Sequence, residues 1–129
     1  MQALNSYGPL VGRVFIGLLF LLAGLGKLGD VAGFSGYLAS GGLPAFLAWP
    51  AVLFEVAVGI LLIIGYQTRL VALATAAFCV VAAVLYHFNF ADQMQQIMFL
   101  KNVSISGAFL MLVANGAGAL SLDRYFTKK

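Results

Sequence analysis

Pro44–Tyr66 reads PAFLAWPAVLFEVAVGILLIIGY, an apolar run interrupted by a single charged residue, Glu55. At about 1.5 Å of rise per residue such a run spans the roughly 30 Å hydrocarbon core of a bilayer. Backbone groups in lipid must bond internally, so the run is expected to be a helix. Three further runs of similar character lie on either side of it, at about Pro9–Leu28, Leu70–Phe88 and Gln96–Ala117. The expected fold is all-α: a polytopic membrane protein whose four transmembrane helices form one bundle and one domain over residues 1–129.

The connections differ in kind. Gly65-Tyr66-Gln67-Thr68-Arg69 reads as a tight turn, and Phe88–Gln95 as a short polar loop. Gly29–Leu43 is longer, with Phe34, Tyr37 and Leu38 on one helical face and Gly41-Gly42 before Pro44. This pattern predicts a short interfacial helix after the first span. Tyr37, Trp49 and Tyr86 fit an aromatic belt at one interface, and Tyr7, Tyr66 and Tyr125 fit the other.

Composition agrees with lipid as the solvent. Of 129 residues 63% are hydrophobic and 9% charged, and the mean hydropathy is +1.03. A soluble domain needs more polar surface than this. The pI near 9.3 and net charge of +3 do not indicate a nucleic-acid partner, because the cations are scattered and Lys128-Lys129 is the longest basic run. The single cysteine, Cys79, forms no internal disulfide, and with the single histidine, His87, it supplies no zinc or iron–sulfur ligand set, so no metal is expected. The first run lacks the basic segment and small-residue cleavage site of a signal peptide and is read as a retained span. Four spans place both ends on one side, with Arg13, Arg69, Arg124, Lys128 and Lys129, against Lys27 and Lys101 on the other. Positive charge collects on the cytoplasmic side, so both termini are expected there.

Charge inside a membrane costs at least about 2.5–3.5 kcal/mol at a helix centre and needs a partner, an escape or a purpose. Glu55 is too short to reach an interface. Gly59, one turn on, shares its face and admits a close helix. In the first span Arg13, Gly17, Phe20, Gly24 and Lys27 fall at steps of four and three, one stripe with a cation near each end. In the third, Ala72, Ala76, Cys79 and Ala83 form a small-residue face ending at His87. In the fourth, Lys101, Ser104, Ala108 and Asn115 form a polar and small stripe with Asn102 beside it, and Gly107 is a further candidate for helix packing. Depths counted from the span ends put Arg13 about 8–9 Å and Lys101 about 7–8 Å from Glu55, and Lys27 about 15 Å away. The expected arrangement is a buried cluster of Glu55 with Arg13, Lys101 and Asn102, and an outer polar mouth of Lys27 and His87. A structural Glu55–Arg13 pair that fixes helix register, and lysines that merely snorkel, remain as alternative readings.

The order of these motifs resembles the DoxX family of small bacterial membrane proteins. The matching residues are Arg13 to Lys27, Phe34-x-x-Tyr37-Leu38, Gly42-Leu43-Pro44, Glu55-x-x-x-Gly59, Gly65-Tyr66-Gln67-Thr68-Arg69, Phe99-Leu100-Lys101-Asn102-Val103-Ser104-Ile105-Ser106-Gly107, Gly116-x-Gly118 and Ser121-Leu122-Asp123-Arg124. The resemblance implies a four-helix protein of the bacterial inner membrane. It also implies an association with redox chemistry, since relatives include the membrane subunit of a thiosulfate:quinone oxidoreductase and membrane partners of oxidative-stress enzymes. It supplies no catalytic constellation and does not make every member an enzyme.

Two functions follow as expectations. The first is a quinone-linked redox subunit, with Glu55 handling protons and Lys101 polarising a quinone carbonyl; electrons would come from a partner protein or a soluble substrate. The second is a non-catalytic anchor or assembly partner whose small-residue faces bind another membrane protein or a second copy of the chain.

Overall fold

The computed structural model describes residues 1–127, so Lys128 and Lys129, which entered the charge-based orientation, lie outside the described residues. Six α-helices follow one another: α1 (Gln2–Leu28), α2 (Val31–Ser40), α3 (Ala48–Ile64), α4 (Thr68–Tyr86), α5 (Gln93–Asn115) and α6 (Leu122–Thr127). A 3-10 turn, Ala45–Leu47, leads into α3. Four helical stretches are long and apolar enough to cross a membrane: Gln2–Leu28, Ala45–Ile64, Thr68–Tyr86 and Gln93–Asn115. The protein is thus an all-α polytopic membrane protein, and α2 is the short helix expected after the first span. The first helix begins at Gln2, before the expected Pro9, which lies inside it. Proline is tolerated within membrane helices where local adjustments satisfy the freed carbonyl.

The described residues divide into two compact units: Met1–Tyr66 with the segment from Ala117 onward, and Gln67–Gly116. In the first unit α1 and α3 run antiparallel and touch through glycine. A Cβ placed on Gly59 would lie 2.6 Å from the Leu21 nitrogen and 2.7 Å from the Gly17 oxygen. On Gly24 it would lie 2.7 Å from a Val56 methyl and 3.0 Å from the Val56 nitrogen. Only glycine allows backbones this close, and van der Waals contact between close backbones is what holds helices together in lipid. The buried face of α3, Ala48, Val52, Glu55, Val58, Gly59 and Leu62, follows the helical period.

Chain ends and turns are satisfied locally. The Asp30 carboxylate caps α2 by accepting from Gly33 N at 2.9 Å, and Asp92 caps α5 by accepting from Met94 N at 3.0 Å. Gly65 closes α3 in the left-handed region (φ 73°), and the N–H groups of Gly65 and Tyr66 both donate to Leu61 O.

In the second unit α4 lays down the small-residue face read from the sequence. Ala72, Ala76, Cys79 and Ala83 are all buried. Ser106 of α5 places its hydroxyl 3.1 Å from Ala76 O and 3.0 Å from Asn102 O. The buried face of α5 is Asn102, Ser106 and Phe109.

Candidate functional site

The buried residues of α1 are Arg13, Gly17, Phe20 and Gly24, the stripe anticipated from spacing, and Lys27 continues it. The two cations at its ends do different work. Lys27 Nζ lies 2.8 Å from Glu55 Oε1 and 2.9 Å from Oε2, the one ion pair among the described residues. The side chain of Glu55 is 6% exposed and that of Lys27 34%. The pair therefore has a sealed acidic end and a basic end that opens outward. The ammonium also sits 4.7 Å from the centroid of the Phe34 ring on α2, a cation–π contact. An ammonium carries three donors, so contact with both carboxylate oxygens does not exhaust its hydrogen-bonding capacity.

Arg13 is 1% exposed and, among the described residues, touches no carboxylate at hydrogen-bond distance. Its Nε donates to Ala117 O at 2.9 Å. Its Nη1 donates to Leu62 O at 2.8 Å and Ile63 O at 3.2 Å, and its Nη2 to Leu120 O. The two Nη1 acceptors belong to the last turn of α3, whose carbonyls lack partners within the helix. Cationic donors suit that end because the helix dipole is negative there. Asp123 adds a carboxylate that acts on the Arg13 charge through space, and its own N–H donates to Gly65 O at 2.9 Å. Arg13 therefore joins α1, the end of α3 and residues 117–120.

This corrects the expected cluster. Glu55 pairs with Lys27 and not with Arg13, because register is set by glycine contacts rather than by distance from the span ends. Gly24 meets Glu55, and Gly17 meets Leu62 seven residues further along α3. On that register Lys27 lies opposite Val52, one turn from Glu55. Side chains lean toward the N-terminus of their own helix, so in an antiparallel pair Lys27 and Glu55 lean toward each other. Arg13, on the same helix, leans the same way as Lys27, which carries it away from Glu55 and toward the end of α3.

The remaining candidates fall in the second unit. Lys101 is exposed on α5 while Asn102 is buried. His87, at the end of α4, is 9% exposed, and its Nδ1 lies 2.7 Å from Gln95 Oε1. His87 thus has a partner within the second unit, and Lys27 is engaged by Glu55 within the first. Gly107 is exposed with no atom within 4 Å of an added Cβ. Gly17, Gly24 and Gly59, by contrast, each meet a neighbouring helix at under 3 Å from the added Cβ. The polar stripe Lys101, Ser104 and Ala108 keeps its spacing but is turned away from the buried face of α5. Two features escaped the sequence: the Phe34 ring against Lys27, whose only trace was the helical spacing Phe34-x-x-Tyr37-Leu38, and the carbonyl acceptors of Arg13, which no side-chain pattern encodes.

Comparison with known proteins adds relatives to this geometry. The family model described as DoxX matches residues 8–88, a stretch that holds Arg13, Lys27, Phe34 and Glu55. The chain is 41% identical over 129 residues to the inner membrane protein YqjF of Escherichia coli K12, covering all of this chain and 99% of that one. It is 38% identical over 122 residues to the inner membrane protein YphA of the same organism, 89% of this chain and 87% of that one. A shorter match, 35% over 69 residues, is to CatD of Bacillus subtilis 168, provisionally named an oxidoreductase, and covers 54% of this chain and 52% of that one. No solved structure matches the chain significantly.

Proposed function

The chain belongs to the DoxX family, and from that premise we propose that it is a redox-associated subunit of the bacterial inner membrane, linked to quinone through the Lys27–Glu55 pair. The observation that carries this reading is a buried carboxylate with both oxygens within hydrogen-bond distance of an ammonium that is partly exposed and sits beside an aromatic ring. A quinone headgroup is a flat apolar ring with hydrogen-bond-accepting carbonyls, and sites for such molecules are apolar with a few well-placed polar groups. Lys27 would donate to a carbonyl, Phe34 would border the ring, and Glu55 would hold the ammonium in place and exchange a proton with it. When bound, the quinone supplies the electron-accepting chemistry, and the protein supplies binding, orientation and protons. The provisional oxidoreductase name of CatD supports a redox setting. The two E. coli relatives support the inner membrane, and the cation distribution supports a cytoplasmic location for both termini.

The test is a titration of short-chain ubiquinone and menaquinone analogues into the protein in lipid nanodiscs, following unfolding. A ligand at 100 times its Kd stabilises the folded state by about 2.7 kcal/mol. That gain should appear in the native chain and vanish in Lys27→Met. Absence of any gain, together with no quinone in lipid extracts of the purified protein, would overturn the proposal.

A second reading, an assembly partner without catalysis, has its own observation. Both buried charges already have partners within the chain, Glu55 with Lys27 and Arg13 with four carbonyls, as expected of groups that fix a fold. If the cellular phenotype survives Lys27→Met but is lost on enlarging Gly59, this second reading holds.

A further inference from the structure

We propose that Asp30 is a positioning residue for the Lys27–Glu55 site: its cap on α2 holds the Phe34 ring against the Lys27 ammonium and so fixes the side from which a ligand meets that ammonium. The inference rests on the reading of this pair as a ligand site and adds to it a residue that the reading does not use.

The corner between α1 and α2 is built on Asp30. Lys27 lies in the last turn of α1, which ends at Leu28, and Phe34 lies in the first turn of α2, which begins at Val31. Asp30 is bonded to both residues. Its N–H donates to Lys27 O at 3.0 Å, and its carbonyl accepts from Phe34 N at 3.2 Å. Its carboxylate accepts from Gly33 N, beside Phe34, at 2.9 Å. One residue therefore ties the end of the helix that carries the ammonium to the start of the helix that carries the ring. Gly33 keeps room for this cap: a Cβ there would collide with Asp30 Oδ2 and lie 2.9 Å from Asp30 Cγ. The far end of α2 is held separately, by the buried Leu38 and by Leu43 N–H, which donates to Leu38 O at 3.2 Å. Phe34 sits between these two fixed points, and Asp30 is the one bonded to Lys27.

The ammonium is bordered on two sides, by the Glu55 oxygens at 2.8 and 2.9 Å and by the Phe34 ring with its centroid at 4.7 Å. A carbonyl that accepts from Lys27 must come in alongside the ring, and a flat headgroup on that carbonyl then lies against Phe34. If the first turn of α2 frays, the ring leaves while the ion pair stays. Asp30 thus acts on the aromatic side of the site and not on its charge.

The test reads the ring and the ligand separately. The native chain is labelled with carbon-13 at Cε of its four lysines and placed in lipid nanodiscs, and the Lys27 signal is identified by its loss in Lys27→Arg. The ring current of Phe34 displaces the Lys27 Hε signal, and Phe34→Leu measures by how much. Asp30→Ala should lose most of that displacement, whereas Asp30→Asn, which keeps a capping oxygen, should retain it. Gly33→Ala attacks the same cap from the other side and should lose it too, so the question stays decidable if Asp30→Ala does not fold. Binding of quinone analogues should weaken in Asp30→Ala by roughly five-fold, the worth of a typical N-cap, and Phe34→Leu in that background should add little, because the two changes act on one contact. A Lys27 signal unmoved in both cap variants, or an unchanged affinity in Asp30→Ala, would overturn the proposal. If the native chain binds no analogue, the quinone reading fails, and the ring-current result alone decides whether Asp30 positions Phe34.

Discussion

Removing the guanidinium of Arg13 is expected to cost more than removing any other exposed or buried cation of the chain. The four acceptors differ in surroundings. The bonds to Ala117 O and Leu62 O are buried, whereas those to Ile63 O and Leu120 O are partly buried. In Arg13→Met the two partly buried carbonyls regain water and contribute little. Each fully buried carbonyl is orphaned at about 1–3 kcal/mol. Methionine also ends the desolvation of a buried charge, which offsets part of that loss. The net expectation is a loss of about 2–4 kcal/mol, a large share of a typical folding free energy of about 5–15 kcal/mol. Arg13→Lys should recover less than half, because one ammonium does not reproduce a planar fork that reaches α3 and residues 117–120 together. The assay is reversible unfolding in mixed micelles on titration with sodium dodecyl sulfate, followed by the fluorescence of Trp49, the only tryptophan. If both variants unfold within about 0.5 kcal/mol of the native chain, the usual range for surface substitutions, Arg13 is not the fastening described.

Gly59→Ala should destabilise the protein, because its Cβ would strike the backbone of Leu21 and Gly17, while Gly107→Ala, into open space, should be neutral or gain up to about 1 kcal/mol from helix propensity; the same micelle titration compares them. Phe34→Leu keeps the apolar contact but removes the ring face from Lys27 and should cost about 0.5–1 kcal/mol, a cost that disappears when the change is made in a Lys27→Met background. Partial burial raises the Tyr37 phenol above its ordinary value. Its stabilising contribution is therefore complete below about pH 10 and is lost as pH rises through the folded-state value. Absorbance at the phenolate band should show Tyr37 ionising later in the native chain than after unfolding, with Tyr37→Phe removing that late fraction.

The parts of the fold that were legible depend on one helix at a time. Span lengths, the small-residue face of α4 and the α1 stripe from Arg13 to Lys27 are periodicities, and they survive whatever the helices pack against. The illegible parts depend on two helices at once. On α5 two polar stripes lie one residue apart, Lys101-Ser104-Ala108 and Asn102-Ser106-Phe109, and polarity alone does not say which one turns inward. The structure buries the second, where Ser106 meets Ala76 O. The partner of Glu55 is illegible for the same reason. Depth counted from span ends takes both helices as centred on one plane, whereas close glycine contacts fix their true offset. The contacts of Gly24 and Gly17 with α3 bring Lys27 within reach of Glu55 and carry Arg13 to the helix end.

That register makes a reversal of charge informative. Lys27 and Glu55 lean toward each other because α1 and α3 are antiparallel and each side chain slants toward its own N-terminus. Exchange of the two residues preserves this slant and the summed length of the pair. Lys27→Glu alone puts two acids together, and Glu55→Lys alone puts two cations together, so each single variant should be clearly destabilised. The double variant should recover most of the loss, and the recovery measures their coupling, about 0.5–3 kcal/mol for contacting residues. The exchange is not neutral for chemistry, however. It moves the ammonium to the sealed position on α3 and the carboxylate to the open position beside Phe34, where a quinone carbonyl would find an acceptor instead of a donor. If the pair only fastens α1 to α3, the double variant should regain both stability and the cellular phenotype. If Lys27 addresses a ligand, stability should return while stabilisation by quinone analogues does not. A double variant that stays as unstable as the singles would contradict the antiparallel register from which both expectations were derived.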